Sequence, residues 1–130
     1  MKKSIPLLVA IAKGENENVK KILQNDRSLL NSRIEGYPPL YYAVRSGHID
    51  IVTTILDMGC SLSFENDKST PMHCAAYYGH RKIIPILLAY GVPTNIKNFN
   101  HNIPIQESAN DEIKALLSET ETNKILNLQL

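Results

Sequence analysis

Tryptophan is absent from this chain, and only two phenylalanines and two cysteines occur among its 130 residues. Two cysteines, Cys60 and Cys74, with no C-x-x-C spacing, do not build the disulfide framework of a small secreted domain or a thiolate metal knuckle. A reducing, intracellular setting is therefore expected, cytoplasmic or nuclear. An excess of one charge is also missing, since 14 Lys+Arg against 13 Asp+Glu leave a formal net charge of +1. That balance argues against a basic nucleic-acid binder, an acidic tail and a disordered chain. Long apolar runs are lacking too: stretches such as Ile83 to Tyr90 fall well short of the roughly eighteen residues that a membrane helix requires. No membrane insertion is expected. What is present is a chain of ordinary globular composition, 43% hydrophobic, long enough to bury one core without disulfides or metal.

The first residues imitate a secretory leader, with Met1, Lys2 and Lys3 ahead of the apolar stretch Ile5 to Ala12 and a small-residue site at Ala10-Ile11-Ala12. The stretch is short for that purpose and Pro6 stands near its start. Its residues also fall in phase with a pattern that runs through the rest of the chain, so they are read as structure.

That pattern is an internal repeat. Pro6, Pro39, Pro71 and Pro104 recur at intervals of 33, 32 and 33 residues, Gly14, Gly47 and Gly79 at 33 and 32, and Gly59 and Gly91 at 32. Apolar residues keep the same step: Leu7, Leu40, Met72 and Ile105 directly follow the prolines, and Ala10, Ala43 and Ala75 come three residues later. Each copy reads as two short helices and a turn. Thr70-Pro71 offers a capping hydroxyl and a first-turn proline, and Gly79 ends that helix. Ile83, Ile84, Leu87 and Leu88, like Ile51, Val52, Ile55 and Leu56, then recur at helical spacing and mark a second helix, closed by Gly91 and Gly59 at C′. Pro85 fits if that second helix starts late, near Arg81, so that its missing N–H falls in the first turn. The polar stretch from Ser61 to Ser69 is too short for a helix and is expected to be an extended, hairpin-like loop.

At these residues the chain resembles the ankyrin repeat. Ser69-Thr70-Pro71-Met72-His73-Cys74-Ala75-Ala76-Tyr77-Tyr78-Gly79-His80 is similar to the family's G-x-T-P-L-H-x-A-A-x-x-G-H signature, with Lys68 where the family usually has Gly. The second copy keeps Gly36, Pro39, Leu40, Ala43, Gly47 and His48 but has Pro38 for Thr and Tyr41 for His. The first keeps Pro6, Leu7, Ala10 and Gly14, while Asp26 replaces the closing Gly. The last, with Ile103-Pro104-Ile105, Ser108-Ala109, Ile113, Leu116 and Leu117, has lost about one helical turn. The resemblance implies an all-α solenoid over residues 1–117, with repeats at about 4–33, 37–66, 69–98 and 102–117, the outer two acting as caps, and a tail over 118–130. In that tail Ile125, Leu126, Leu128 and Leu130 are apolar and could fray, dock back or enter a partner.

The side chains capable of chemistry fall on architectural positions. His48 and His80 both follow a turn glycine, and the resemblance implies a hydrogen-bonding structural role for His73. His101 has no acidic or thiol partner at metal-ligand spacing. Cys74 adjoins His73, yet successive helical residues point about 100° apart, which does not make a nucleophile and base, so Cys74 reads as a small core filler. No phosphate loop, nucleophile elbow or H-E-x-x-H helix occurs. No enzyme activity, metal or cofactor is expected.

The positions that the repeat does not need for its own fold carry the functional expectation. The resemblance implies a concave surface made by loop tips and first helices, and here it comprises Ile34, Glu35, Tyr37, Arg45, Ser46, Asn66, Asp67, Ser69, Tyr77, Tyr78, Phe99, Asn100 and Asn102. Tyr and Arg are frequent interface hot spots. Tyr41 and Tyr42 are expected to pack between repeats instead. The chain is read as a protein-protein interaction module, monomeric by itself, that binds one or more partner proteins as an adaptor or inhibitor. The alternative is a structural subunit built permanently into a large assembly.

Overall fold

The computed structural model of the chain describes residues 4–118. Lys2 and Lys3 of the leader-like stretch, and the apolar tail residues from Ile125 to Leu130, lie outside the described residues.

The chain forms helix pairs α1 (Ser4–Lys13) with α2 (Asn16–Asn25), α3 (Pro39–Ser46) with α4 (Ile49–Asp57), and α5 (Pro71–Tyr78) with α6 (Ile83–Ala89). A 3-10 turn over Pro104–Glu107, followed by a helix α7 over 111–118, makes a shorter fourth pair. A second 3-10 turn, Arg27–Asn31, follows α2 where the glycine of the other copies is replaced by Asp26. The connections within the first two pairs hold only two residues, which obliges each pair to run antiparallel. Among the described residues no strand forms, and an isolated bridge joins Ile34 to Tyr37.

Local chemistry explains the boundaries. Pro39 and Pro71 stand at the first position of α3 and α5, where no N–H is needed, and Gly47 and Gly79 end those helices in the left-handed region at φ +76° and +72°. α6 begins at Ile83, so Pro85 sits within its first turn and removes no intrahelical bond, as the late start required.

Successive pairs stack into two rows. The inner row is α1, α3, α5 and the 3-10 turn at Pro104–Glu107; the outer row is α2, α4 and α6. Leu7, Ala10 and Ile11, then Leu40, Ala43 and Val44, then Met72, Ala75 and Ala76 repeat one buried register along the inner helices. Val19 and Leu23, then Ile51, Val52 and Ile55, then Ile83, Ile84 and Leu87, then Ile113 and Leu117 do the same behind them. All belong to one continuous core. The loop after α4 supplies a core residue that its polar composition concealed: Phe64 is fully buried, so this segment is an anchored span and not only a surface turn.

Small residues set the spacing of the inner row. Ala43, Ala75 and Ala76 are fully buried, and enlarging any of them to Leu would overpack the contact by about 1–3 kcal/mol. Glycine does the same at the turns. The rings of His48 and His80 lie over Gly14 and Gly47 of the preceding unit, where an added Cβ would come within 2.9 Å and 3.2 Å of the imidazole. Gly59 has a similar positive φ of +78° but open space around it. Gly59→Ala should therefore cost only the backbone strain, about 1–2 kcal/mol, whereas Gly14→Ala should cost measurably more because the His48 ring must also move. Urea denaturation of the two variants checks the order.

Candidate protein-interaction face

A buried polar cluster fixes the entrance to α5. Thr70 and His73 are both fully buried. The His73 N–H donates to Thr70 Oγ1 at 3.2 Å, and the Thr70 N–H donates back to His73 Nδ1 at 3.3 Å, a reciprocal cap. His73 Nε2 lies 2.7 Å from the backbone carbonyl of Asn102 in the next unit. A carbonyl only accepts, so the proton is on Nε2, and Nδ1 is left as the acceptor for the Thr70 hydroxyl at 2.7 Å. The imidazole is neutral and both nitrogens are used. Burial pushes its pKa below the ordinary value, opposed by the Asn102 carbonyl and by Glu107.

This geometry leaves His73 nothing to give to catalysis. The adjacent Cys74 is buried against the Tyr41 carbonyl, and burial pushes its thiol up to about 12. Burial also raises the half-buried Cys60 to about 11. Neither is a thiolate at neutral pH. His48 Nε2 is 3.3 Å from the Ala12 carbonyl, again joining one unit to the one before it. Among the described residues no group of three His, Cys, Asp or Glu is placed to hold a metal ion.

The thirteen residues assigned to the face divide in two. Glu35, Arg45, Ser46, Asn66, Tyr77, Tyr78, Phe99 and Asn100 are exposed, whereas Ile34, Tyr37, Asp67, Ser69 and Asn102 are half-buried and already engaged by the fold. Ile34 exchanges backbone bonds with Tyr37 at 2.8 and 3.1 Å and accepts the Tyr42 hydroxyl. Tyr37 stacks on Tyr41 with centroids 4.2 Å apart, and Tyr42 meets both edge-on within the same unit; Tyr41 also faces Cys74 and Ser69 of the next unit, and Tyr42 lines a groove with Leu8 and Ala12 of the preceding one, so both pack between units as expected. Burial pushes the pKa of the Tyr41 hydroxyl up to about 12, with Ser69 acting against that. Asp67 pairs with Arg33 at 3.3 Å; burial raises its carboxyl pKa while the guanidinium acts against that. Asn102 gives its carbonyl to His73 and its Nδ2 to Glu107. Ile34 and Tyr37 thus close their own loop tip, whereas Asp67, Ser69 and Asn102 face neighbouring units, and each loop tip lies beside the next: the Phe99 N–H donates to the Lys68 carbonyl at 3.0 Å.

The exposed group contains the apolar surface. Tyr77 and Tyr78 close α5, 63% and 48% exposed, with their rings edge to face at 5.1 Å, and Phe99 is 75% exposed on its loop. Along the inner row the two residues ahead of each turn glycine occupy equivalent places: Tyr77 and Tyr78 before Gly79, Arg45 and Ser46 before Gly47, Ala12 and Lys13 before Gly14. The first two of these pairs follow from the sequence as face positions, whereas Ala12 and Lys13 were missed there although the same spacing marks them. Between α1 and α3 this row opens a shallow groove of about 360 Å³ lined by Leu8, Ile11, Ala12, Tyr42, Arg45 and Ser46. At the first end of the stack, Ile5 and Val9 are 60% and 44% exposed. They stand in register with Thr70 and Cys74, which are buried.

The fold defines an all-α solenoid of two-helix repeats. A family model for ankyrin repeats in three copies matches residues 7–98, and the chain belongs to the ankyrin-repeat family. It is 30% identical to the E3 ubiquitin-protein ligase XBAT33 of Arabidopsis thaliana over 116 residues, which cover 88% of this chain and 23% of that one. It is 27% identical over 108 residues to the transient receptor potential cation channel subfamily A member 1 of Drosophila melanogaster, covering 78% of this chain and 9% of that one. The human NAD-capped RNA hydrolase NUDT12 shares 36% identity over 78 residues, 58% of this chain and 17% of that one. The chain thus spans less than a quarter of each relative. Ankyrin repeats generally mediate protein-protein interaction and are generally non-catalytic. Among the described residues no helix is long and apolar enough to cross a membrane.

The neutral state of His73 gives a pH dependence of definite sign. Its folded pKa is lowered, so as pH falls past about 6.5 the unfolded chain takes up the proton first and stability is lost. The urea midpoint should drop between pH 7.5 and 5.5, and the drop should be smaller in His73→Gln, as equilibrium unfolding at the two pH values would show.

Proposed function

We propose that the chain is a non-catalytic binding module that holds a partner protein against its inner-helix face, as an adaptor or inhibitor. The observation that carries this reading is the pair Tyr77 and Tyr78, well exposed and meeting edge to face at the end of a helix whose remaining residues are all buried. Two large rings are already ordered there without contributing to the core, so binding costs little side-chain entropy. Relatives with unlike activities, a ubiquitin ligase, a cation channel and an RNA hydrolase, match this chain over under a quarter of their lengths, which supports a part shared for holding and not for chemistry.

The binding unit in this reading is residues 1–117, monomeric by itself and working in a reducing intracellular compartment, in keeping with the free thiols of Cys60 and Cys74. Its contacts come from Glu35, Arg45, Ser46, Asn66, Tyr77, Tyr78, Phe99 and Asn100, with the half-buried Ile34, Tyr37, Asp67, Ser69 and Asn102 shaping the rim. A second reading, a subunit built permanently into a large assembly, draws on Ile5 and Val9, which bare apolar surface away from the tyrosines.

Combining Tyr77→Ala with Tyr78→Ala should change the unfolding free energy by less than about 1 kcal/mol and leave helicity intact, yet remove the main proteins that co-purify with the tagged chain from its own cells. Quantitative mass spectrometry of the two purifications reads this out, and an unchanged set of co-purifying proteins would sink the face assignment. Elution of the chain only within a very large particle would favour the built-in subunit.

A further inference from the structure

We infer that the partner segment held on the inner face is an acidic peptide with a bulky aliphatic or aromatic side chain close to its carboxylates; this rests on the interaction-face reading above. Charge is the first observation. The chain as a whole is almost balanced at +1. The three inner helices nonetheless carry two charged side chains in total, Lys13 and Arg45, both cations, and no carboxylate. The outer helix α4 by contrast holds Asp50 and Asp57. On the rest of the face Glu107 is taken up by Asn98 and Asn102, and Glu35 stands exposed at a loop tip beside Tyr42.

Placement is the second observation. Lys13 and Arg45 are both exposed and close their inner helices in consecutive units, Lys13 directly ahead of Gly14 and Arg45 two residues ahead of Gly47, along the row that continues to Tyr77 and Tyr78. Neither makes an ion pair among the described residues, whereas Arg33 and Arg81 are matched with Asp67 and Glu112. Arg45 edges the groove whose other walls are Leu8, Ile11, Ala12 and Tyr42. An apolar side chain entering that groove brings its neighbouring carboxylate beside a guanidinium suited to a two-pronged bond. Further along the segment the Tyr77 and Tyr78 rings receive a second apolar group. A basic segment would meet uncompensated like charge, and two cations are too few to hold a nucleic acid backbone.

The test pans the full chain against phage-displayed random 12-residue peptides and measures the enriched sequences as synthetic peptides. The expected winners carry Asp or Glu within three residues of Leu, Ile, Phe or Trp and bind more weakly in 500 mM than in 50 mM salt. They should lose at least tenfold in affinity to the Lys13→Glu, Arg45→Glu double variant, whose fold is checked by circular dichroism. Ala12→Arg, which fills the groove from an exposed position, should weaken the same peptides. Failure to enrich any such peptide, or acidic peptides indifferent to the charge reversal, would overturn the inference. Neutral or basic peptides that depend on Tyr77 and Tyr78 would overturn it too while leaving the interaction face standing. Peptides indifferent to all these substitutions would remove both. A ten-uridine RNA bound as tightly as the peptides would replace a protein partner with a nucleic acid.

Discussion

Each helix pair in this chain has an apolar surface that it cannot cover by itself, and the whole structure follows from that constraint. Leu40, Ala43 and Val44 are buried only because α1 lies on one side of α3 and α5 on the other. The stack must therefore be tight, and tightness selects small groups at the points of closest approach: alanine between inner helices and glycine beneath the imidazoles of His48 and His80. Polar groups caught in the joints have to be satisfied across them. Thr54 Oγ1 reaches Asn16 Oδ1 at 2.8 Å, the Ser61 N–H reaches Asn31 Oδ1 at 2.7 Å, and His73 reaches Asn102.

How much of this was legible in the sequence depends on whether a residue's job is set within its own unit. Thr70, Pro71, Gly79 and the paired aliphatics announce helix starts, ends and stripes, because capping and periodicity are local. Pro85 was legible for the same reason. Phe64 was not, because a single aromatic in a polar loop acquires its burial from the units on either side. Nor was the 3-10 turn at Arg27–Asn31, where Asp26 accepts the Ser28 N–H and substitutes a side-chain cap for the missing glycine.

The face was half legible. Positions at loop tips and before the turn glycines follow from the repeat register, which places Tyr77, Tyr78, Arg45 and Phe99 correctly in the open. Register says nothing about which tip residues are used to bind the next tip. Asp67, Asn102 and Tyr37 share the exposed residues' spacing but spend their polar or aromatic groups on Arg33, His73 and Tyr41. For Asp67 and Asn102 that distinction depends on the particular side chains opposite, 34 and 29 residues away, while for Tyr37 it depends on Tyr41 four residues on in the same unit.

The joints just described link residues about one repeat apart, from Thr54 with Asn16 at 38 positions to His73 with Asn102 at 29. Ordering of this chain can consequently begin at any adjacent pair of units and spread outward without closing a long loop. The best-capped helix, α5, with its sealed Thr70 and His73 and its neighbours already in contact, is the natural seed. From there the tyrosines at its far end reach their final arrangement once α3 and the Pro104–Glu107 turn are in place on either side, ahead of the first unit.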